Sequence, residues 1–99
     1  MRLSKHEQAV ILTNVHKYIA ADAQVWLFGS RCDDDKAGGD IDLYIESDQI
    51  SKPLESRIYL KIALQDELGY QKFDLVYHDR SLELQPIHQI AKAEGIELV

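Results

Sequence analysis

The stretch LFGSRCDDDKAGGDIDLYI, residues 27–45, carries five aspartates. Asp33–Asp35 form an acidic run among loop-forming residues, whereas Asp40 and Asp42 begin a segment in which polar and apolar residues alternate. That alternation is typical of a β-strand and places Asp40 and Asp42 on the same strand face. Aspartate is depleted in strands. Two aspartates at the start of one strand, soon after a Gly-Ser turn, therefore indicate a functional role rather than a solvated face.

The rest of the sequence predicts one small α/β domain around this strand. Ser4 and Glu7 have the spacing of a capping box, and the apolar residues that follow predict a helix over residues 5–21. The other predicted elements are strands at 24–28, 40–45 and 72–77, and helices at 53–69 and about 84–95. Residues 96–99 fit either a short edge strand or a tail. We expect a single domain over residues 1–99, with the order α-β-β-α-β-α and a mixed three-stranded sheet.

The second predicted helix has apolar residues that recur on one face. They are Leu54, Ile58, Ile62 and Leu68. This periodicity predicts that the face packs against the sheet.

The predicted strand order brings several polar residues to one edge of the sheet. The second and third strands flank a helix and should be parallel, whereas a loop of about ten residues between the first two strands favours antiparallel pairing. With the second strand in the centre, Gly29, Asp40, Asp42 and Asp74 lie at the same edge. Three carboxylates this close repel one another, so the cluster needs protons or a cation. Oxygen ligands of this kind suit Mg²⁺ or Mn²⁺ together with substrate phosphates, as in nucleotidyl transfer.

Composition and charge limit the classes of function. The chain has 99 residues, of which 28% are charged, and a net charge of −6. That charge argues against binding to nucleic acid or to anionic membranes through the phosphate backbone or headgroups. No apolar run is long enough to span a bilayer, the N-terminus lacks a signal-peptide core, and Cys32 has no partner for an internal disulfide. These features predict a cytoplasmic protein.

The motif FGS followed by GGDIDLYI resembles the G-S…D-x-D signature of the polymerase-beta-like nucleotidyltransferase superfamily. The short chain, the segment KFDLVY after one helix and the closing PIHQIAKAEGIEL are similar to its smallest branch, the minimal nucleotidyltransferases. The resemblance covers nearly the whole chain and implies the nucleotidyltransferase fold. It implies residues that bind the nucleotide triphosphate, namely Gly29, Ser30 and Arg31. It also implies residues that act as metal ligands and catalytic carboxylates, namely Asp40, Asp42 and Asp74.

The resemblance also implies an activity and a partner. Minimal nucleotidyltransferases commonly form toxin–antitoxin pairs with helical HEPN proteins, and some transfer AMP from ATP to a tyrosine of that toxin. The expected function is therefore Mg²⁺-dependent transfer of AMP to a hydroxyl of a HEPN toxin, by an antitoxin. A domain this small has little surface to enclose an acceptor, so a partner or a second copy should complete the acceptor site. The alternative is an antitoxin that neutralises its partner by binding alone.

Overall fold

The computed structural model describes residues 3–29, 40–48, 52–69 and 72–99. The elements, in chain order, are α1 Lys5–Tyr18, β1 Gln24–Phe28, β2 Ile41–Ser47, α2 Pro53–Leu68, β3 Phe73–Asp79, α3 Pro86–Glu94 and β4 Ile96–Leu98. The predicted loop between β1 and β2, which contains Ser30, Arg31 and the acidic run Asp33–Asp35, lies outside the described residues.

The described strands form one mixed sheet in the order β3-β2-β1-β4. Strand β2 pairs antiparallel with β1 and parallel with β3, which confirms the predicted arrangement of these three strands. The prediction of three strands is wrong, because β4 pairs antiparallel with β1 and forms the second edge. Three residues are too few to show a strand period in sequence. A side chain at Gly95 would overlap the Ala91 carbonyl oxygen, so glycine allows the tight passage from α3 into β4.

The helix starts follow the sequence signals closely. Ser4 Oγ accepts a hydrogen bond of 3.0 Å from the Glu7 N–H, and Glu7 Oε1 accepts one of 3.0 Å from the Ser4 N–H. This reciprocal pair is the predicted capping box. Helix α1 ends earlier than predicted, at Tyr18, because the N–H groups that follow both turn back to the Val15 carbonyl oxygen. Among the described residues, no helix is long and apolar enough to cross a membrane.

The main hydrophobic core lies between one face of the sheet and helices α1 and α2. From β2 it includes Ile41, Leu43 and Ile45, which alternate with the aspartates. The predicted buried face of α2 is wrong in large part: Leu54, Ile58 and Ile62 are 71%, 50% and 57% exposed. Leu60 and Leu64 are fully buried instead. The helix carries two apolar rows on different sides, and periodicity alone does not show which row contacts the sheet.

Helix α3 covers the central part of the opposite sheet face. Trp26, Tyr44 and Ala91 form a second buried cluster there, with Phe28 and Val76 packed against it. The rings of Trp26 and Tyr44 have centroids 5.2 Å apart. Both faces of the sheet centre are therefore covered, and β2 is buried along most of its length.

A buried carboxylate, Glu46, joins the elements on this second face. It is only 7% exposed. Tyr44 donates a hydrogen bond of 2.7 Å to Glu46 Oε2, Lys92 Nζ lies 3.1 Å from the same oxygen, and Arg80 Nε lies 3.3 Å from Oε1. Arg80 also contacts Asp22 Oδ2 at 3.0 Å. Burial favours the protonated form of Glu46, but the hydrogen bonds from Tyr44, Lys92 and Arg80 outweigh it and lower its pKa.

We predict that Glu46→Gln lowers the free energy of unfolding by about 2–4 kcal/mol at neutral pH, because two cations lose their buried counter-charge. A carboxylate with a lowered pKa in the folded state contributes stability above its unfolded pKa, and this stability is lost as the pH falls through the folded value. The difference between wild type and variant should therefore shrink below about pH 4. Urea unfolding at several pH values measures it. Glu94→Gln, at an exposed position of α3, serves as the control, and equal effects of both variants would contradict the prediction.

Candidate functional site

Strand register brings the described candidate residues together at one end of the sheet. Asp42 lies opposite Asp74 in the parallel β2–β3 pair and opposite Phe28 in the antiparallel β1–β2 pair. Asp40 precedes Asp42 by two positions and so shares its face. Gly29 directly follows Phe28 at the end of β1. The backbone thus gathers Gly29, Asp40, Asp42 and Asp74 at the start of β2 and β3.

Burial and nearby like charges both disfavour the ionised form of Asp42 at this edge. Burial raises the pKa of Asp42, and the nearby charges of Asp74 and Asp40 raise it further. A side-chain hydrogen bond with Asp74 acts in the same direction, whereas the Lys72 ammonium lowers it in part. The strand register thus holds the Asp42 carboxyl beside that of Asp74, where its charged form is disfavoured.

Asp40 has a different immediate partner. Lys72 Nζ lies 3.4 Å from Asp40 Oδ2, on the solvent-exposed side of the site. Lys72 was not among the predicted site residues, although a signal was present in the sequence. Lys72 is two residues before Asp74, so strand alternation directs both side chains to the same face.

The donor set suits a divalent cation, but a complete metal cage is not formed. Within residues 3–29, 40–48, 52–69 and 72–99, no group of three or more His, Cys, Asp or Glu side chains is arranged to hold a metal ion. Asp42 and Asp74 nevertheless supply facing oxygen ligands of the kind that Mg²⁺ and Mn²⁺ prefer. A cation beside them would relieve the repulsion between the two carboxylates. Substrate oxygens complete the coordination shell in sites of this type.

Gly29 lies directly against the Asp42 side chain. Its φ is +77°, a conformation that favours glycine. A Cβ at this position would overlap Asp42 Oδ2 and lie 3.0 Å from Asp42 Cγ. Glycine is thus required both by the backbone conformation and by the close approach. Ser30 and Arg31, the other two predicted nucleotide-binding residues, lie outside the described part of the chain.

A groove extends from the site along the outer side of β3. It encloses about 340 Å³ and is lined by α2 residues Arg57, Ile58 and Lys61 and by β3 residues 73–75 and Tyr77. Arg57 and Lys61 are both exposed. Their position beside Asp74 depends on how α2 crosses β3, which the spacing of the residues did not reveal.

Comparison with protein-family models gives no match, and comparison with curated proteins gives none either.

We predict that Asp42→Asn raises the free energy of unfolding by about 0.2–1 kcal/mol at neutral pH, the range of cross-strand charge pairs. A carboxyl whose folded pKa is raised costs stability as the pH increases from the unfolded value of about 3.9 through the folded value. The gain from Asp42→Asn should therefore be small at acidic pH and reach its maximum above the folded pKa. Urea unfolding across this range tests it, with Asp66→Asn on the exposed side of α2 as the control. A loss of stability at neutral pH would contradict the prediction.

We predict that Gly29→Ala lowers the free energy of unfolding by about 1–3 kcal/mol, because alanine is strained at positive φ and its Cβ displaces the Asp42 carboxylate. In an Asp42→Ala background the contact is removed but the strain remains, so the same substitution should cost less. A double-mutant cycle by chemical denaturation separates the two terms. An identical cost in both backgrounds would show that Gly29 and Asp42 are not in contact.

Proposed function

We propose that this protein is a Mg²⁺-dependent (or Mn²⁺-dependent) nucleotidyltransferase that transfers AMP from ATP to a tyrosine hydroxyl of a partner, a HEPN-family toxin, and so acts as an antitoxin in the cytoplasm. The observation that carries the proposal is the strand register that sets Asp42 opposite Asp74. Burial and the neighbouring Asp74 charge raise the pKa of Asp42 there. The signature G-S…D-x-D around this pair supports the same chemistry, as does the close approach of Gly29 to Asp42.

The carboxylate pair supports metal-dependent chemistry because two like charges held side by side lower the stability of the apo protein, which a bound cation would restore. Like charges directly opposite each other in a sheet are destabilising. A bound divalent cation would neutralise both carboxylates and polarise the phosphate oxygens of ATP. Functional sites are where such perturbed groups concentrate.

The proposed reaction assigns different roles to the residues. Asp40, Asp42 and Asp74 would hold the metal, mainly the first two would hold the triphosphate through it, and Gly29, Ser30 and Arg31 would bind the phosphates. The tyrosine oxygen attacks the α-phosphorus, and a new phosphorus–oxygen bond forms. The bond between the α-phosphorus and the bridging oxygen breaks, and pyrophosphate leaves with that electron pair. Asp74 accepts the phenolic proton, so its main effect is on the rate of transfer.

An antitoxin that acts by binding alone is the second candidate. Apolar side chains are exposed on α2 and α3, among them Leu54, Ile62, Ile87 and Ile90. Exposed apolar surface of this kind is typical of interaction sites. A contact surface would neutralise a partner without ATP, so ATP dependence separates the two candidates.

We predict that Mg²⁺ with ATP raises the melting temperature of the wild-type protein and that Asp42→Asn abolishes this shift, since the variant lacks a metal ligand. Asp74→Asn should still bind ATP but transfer AMP about 10²–10⁴-fold more slowly, because it lacks the proton acceptor. The assay mixes protein, labelled ATP, Mg²⁺ and the protein encoded by the neighbouring gene, and mass spectrometry measures addition of one AMP.

Asp66→Asn is the matched control and should behave as wild type in both measurements. If wild type binds no ATP with Mg²⁺ yet neutralises its partner, the binding antitoxin replaces the enzyme. If Asp74→Asn transfers AMP at the wild-type rate, Asp74 is not the proton acceptor.

A further inference from the structure

Strand β3 is an edge strand of the described sheet and spans Phe73–Asp79. The Lys72 carbonyl oxygen accepts a hydrogen bond of 3.0 Å from the Ile41 N–H. The Arg80 N–H donates a hydrogen bond of 2.9 Å to the Ser47 carbonyl oxygen. Successive residues of a strand direct their backbone groups to opposite sides. Phe73, Leu75 and Tyr77 therefore direct their N–H and C=O groups away from β2, toward the side of β3 on which no other described strand pairs.

The groove beside this edge reaches the candidate active site. Its lining includes Asp74, the proposed proton acceptor, together with Leu75 and Tyr77 on the same strand. Helix α2 contributes Ile58, which is half exposed and offers apolar contact. A polypeptide that paired with β3 would lie one strand spacing away, about 4.8 Å, and would pass directly beside Asp74.

The charge of the groove selects its occupant. Arg57 and Lys61 are both exposed and are one helical turn apart on α2. Neither forms an ion pair with another residue in the described ranges, although the protein carries a net charge of −6. The Arg57 guanidinium lies 4.3 Å from the centre of the Tyr77 ring, which positions it over β3. Two cations that form no ion pair within the described part of the chain, beside a strand edge, favour a partner segment that brings carboxylates.

We propose that the acceptor protein binds through an extended acidic segment that adds to the edge of β3, with its carboxylates on Arg57 and Lys61 and its tyrosine beside Asp74. Backbone pairing with an exposed strand provides affinity in this mode of recognition, and side-chain contacts provide selectivity. The inference rests on the proposed function for the role of that tyrosine, whereas the binding surface itself requires no nucleotide.

The test uses two synthetic peptides that differ only in charge. One has valine, tyrosine and valine flanked by two glutamates on each side, and the other replaces the glutamates with lysines. In ¹H–¹⁵N spectra recorded without nucleotide, the acidic peptide should shift the amide signals of Phe73, Leu75 and Tyr77, and the basic peptide should not. The double variant Arg57→Glu/Lys61→Glu should weaken binding of the acidic peptide about tenfold or more, because it replaces two attractive charges with two repulsive ones.

The control is the double variant Lys5→Glu/Lys17→Glu, which makes the same change of net charge on α1, a helix that does not line the groove. This control should bind the acidic peptide as wild type does. Affinity for ATP with Mg²⁺ is measured in parallel by calorimetry. If the Arg57/Lys61 variant loses ATP affinity and the acidic peptide shifts no β3 amide, the two cations bind triphosphate. The inference is then overturned while the proposed function remains.

Peptide binding without ATP binding would separate the two proposals in the other direction. If the acidic peptide binds at β3 but wild type binds no ATP, the acidic-segment surface stands and the proposed enzyme fails. Where both bind, AMP transfer to the acidic peptide should exceed transfer to the basic one, and the Arg57/Lys61 variant should reverse that order. Equal shifts from both peptides in wild type would contradict the charge selection and overturn the inference.

Discussion

The buried carboxylate of Glu46 is the constraint on which the second face of the sheet depends. A carboxylate with so little access to water costs several kcal/mol unless it is paired, and here Lys92 and Arg80 both pair with it. Lys92 belongs to α3, and Arg80 follows β3 and contacts Asp22 in the turn before β1. The Glu46 carboxylate on β2 thus connects α3, the end of β3 and the turn before β1. Because α3 leads directly into β4, the position of the fourth strand depends on the same interaction.

Strand β2 carries two carboxylates on this face, the partly buried Asp42 and the buried Glu46. Their electrostatic environments are opposite. Glu46 is surrounded by donors that lower its pKa, whereas Asp42, four residues earlier, faces Asp74 and has a raised pKa. The fold therefore compensates one carboxylate and leaves the other against a like charge. Carboxylates that are left beside a like charge instead of a compensating donor concentrate at functional sites. The contrast within a single strand is the strongest physical argument that a cation belongs beside Asp42.

Local patterns in the sequence predicted the features that a single element determines. The alternation in β2 predicted that Asp40 and Asp42 share a face, and the connection lengths predicted the order of the first three strands, which brings Asp74 opposite Asp42. Features that depend on how the side chains of different elements pack or pair were not predicted. The buried row of α2 depends on which side meets the sheet, and the pairing of Glu46 with Lys92 joins residues far apart in the chain. The three-residue strand β4 forms because β1 offers it an edge, which its own sequence does not show.

The location of Asp74 on an edge strand has a consequence for how such a small domain could act on another protein. If β3 lay inside the sheet, strands on both sides would form hydrogen bonds with its backbone groups. An acceptor could then approach β3 only from one face of the sheet. At the edge, one strand presents both a carboxylate for chemistry and backbone groups for binding. Under the proposed function, the acceptor would need no separate binding domain, since the surface that orients it would be continuous with the residues that act on it. Edge strands usually carry features that prevent unwanted pairing, and in the proposed mode of binding the exposed cations of α2 would favour one charge of partner over the other.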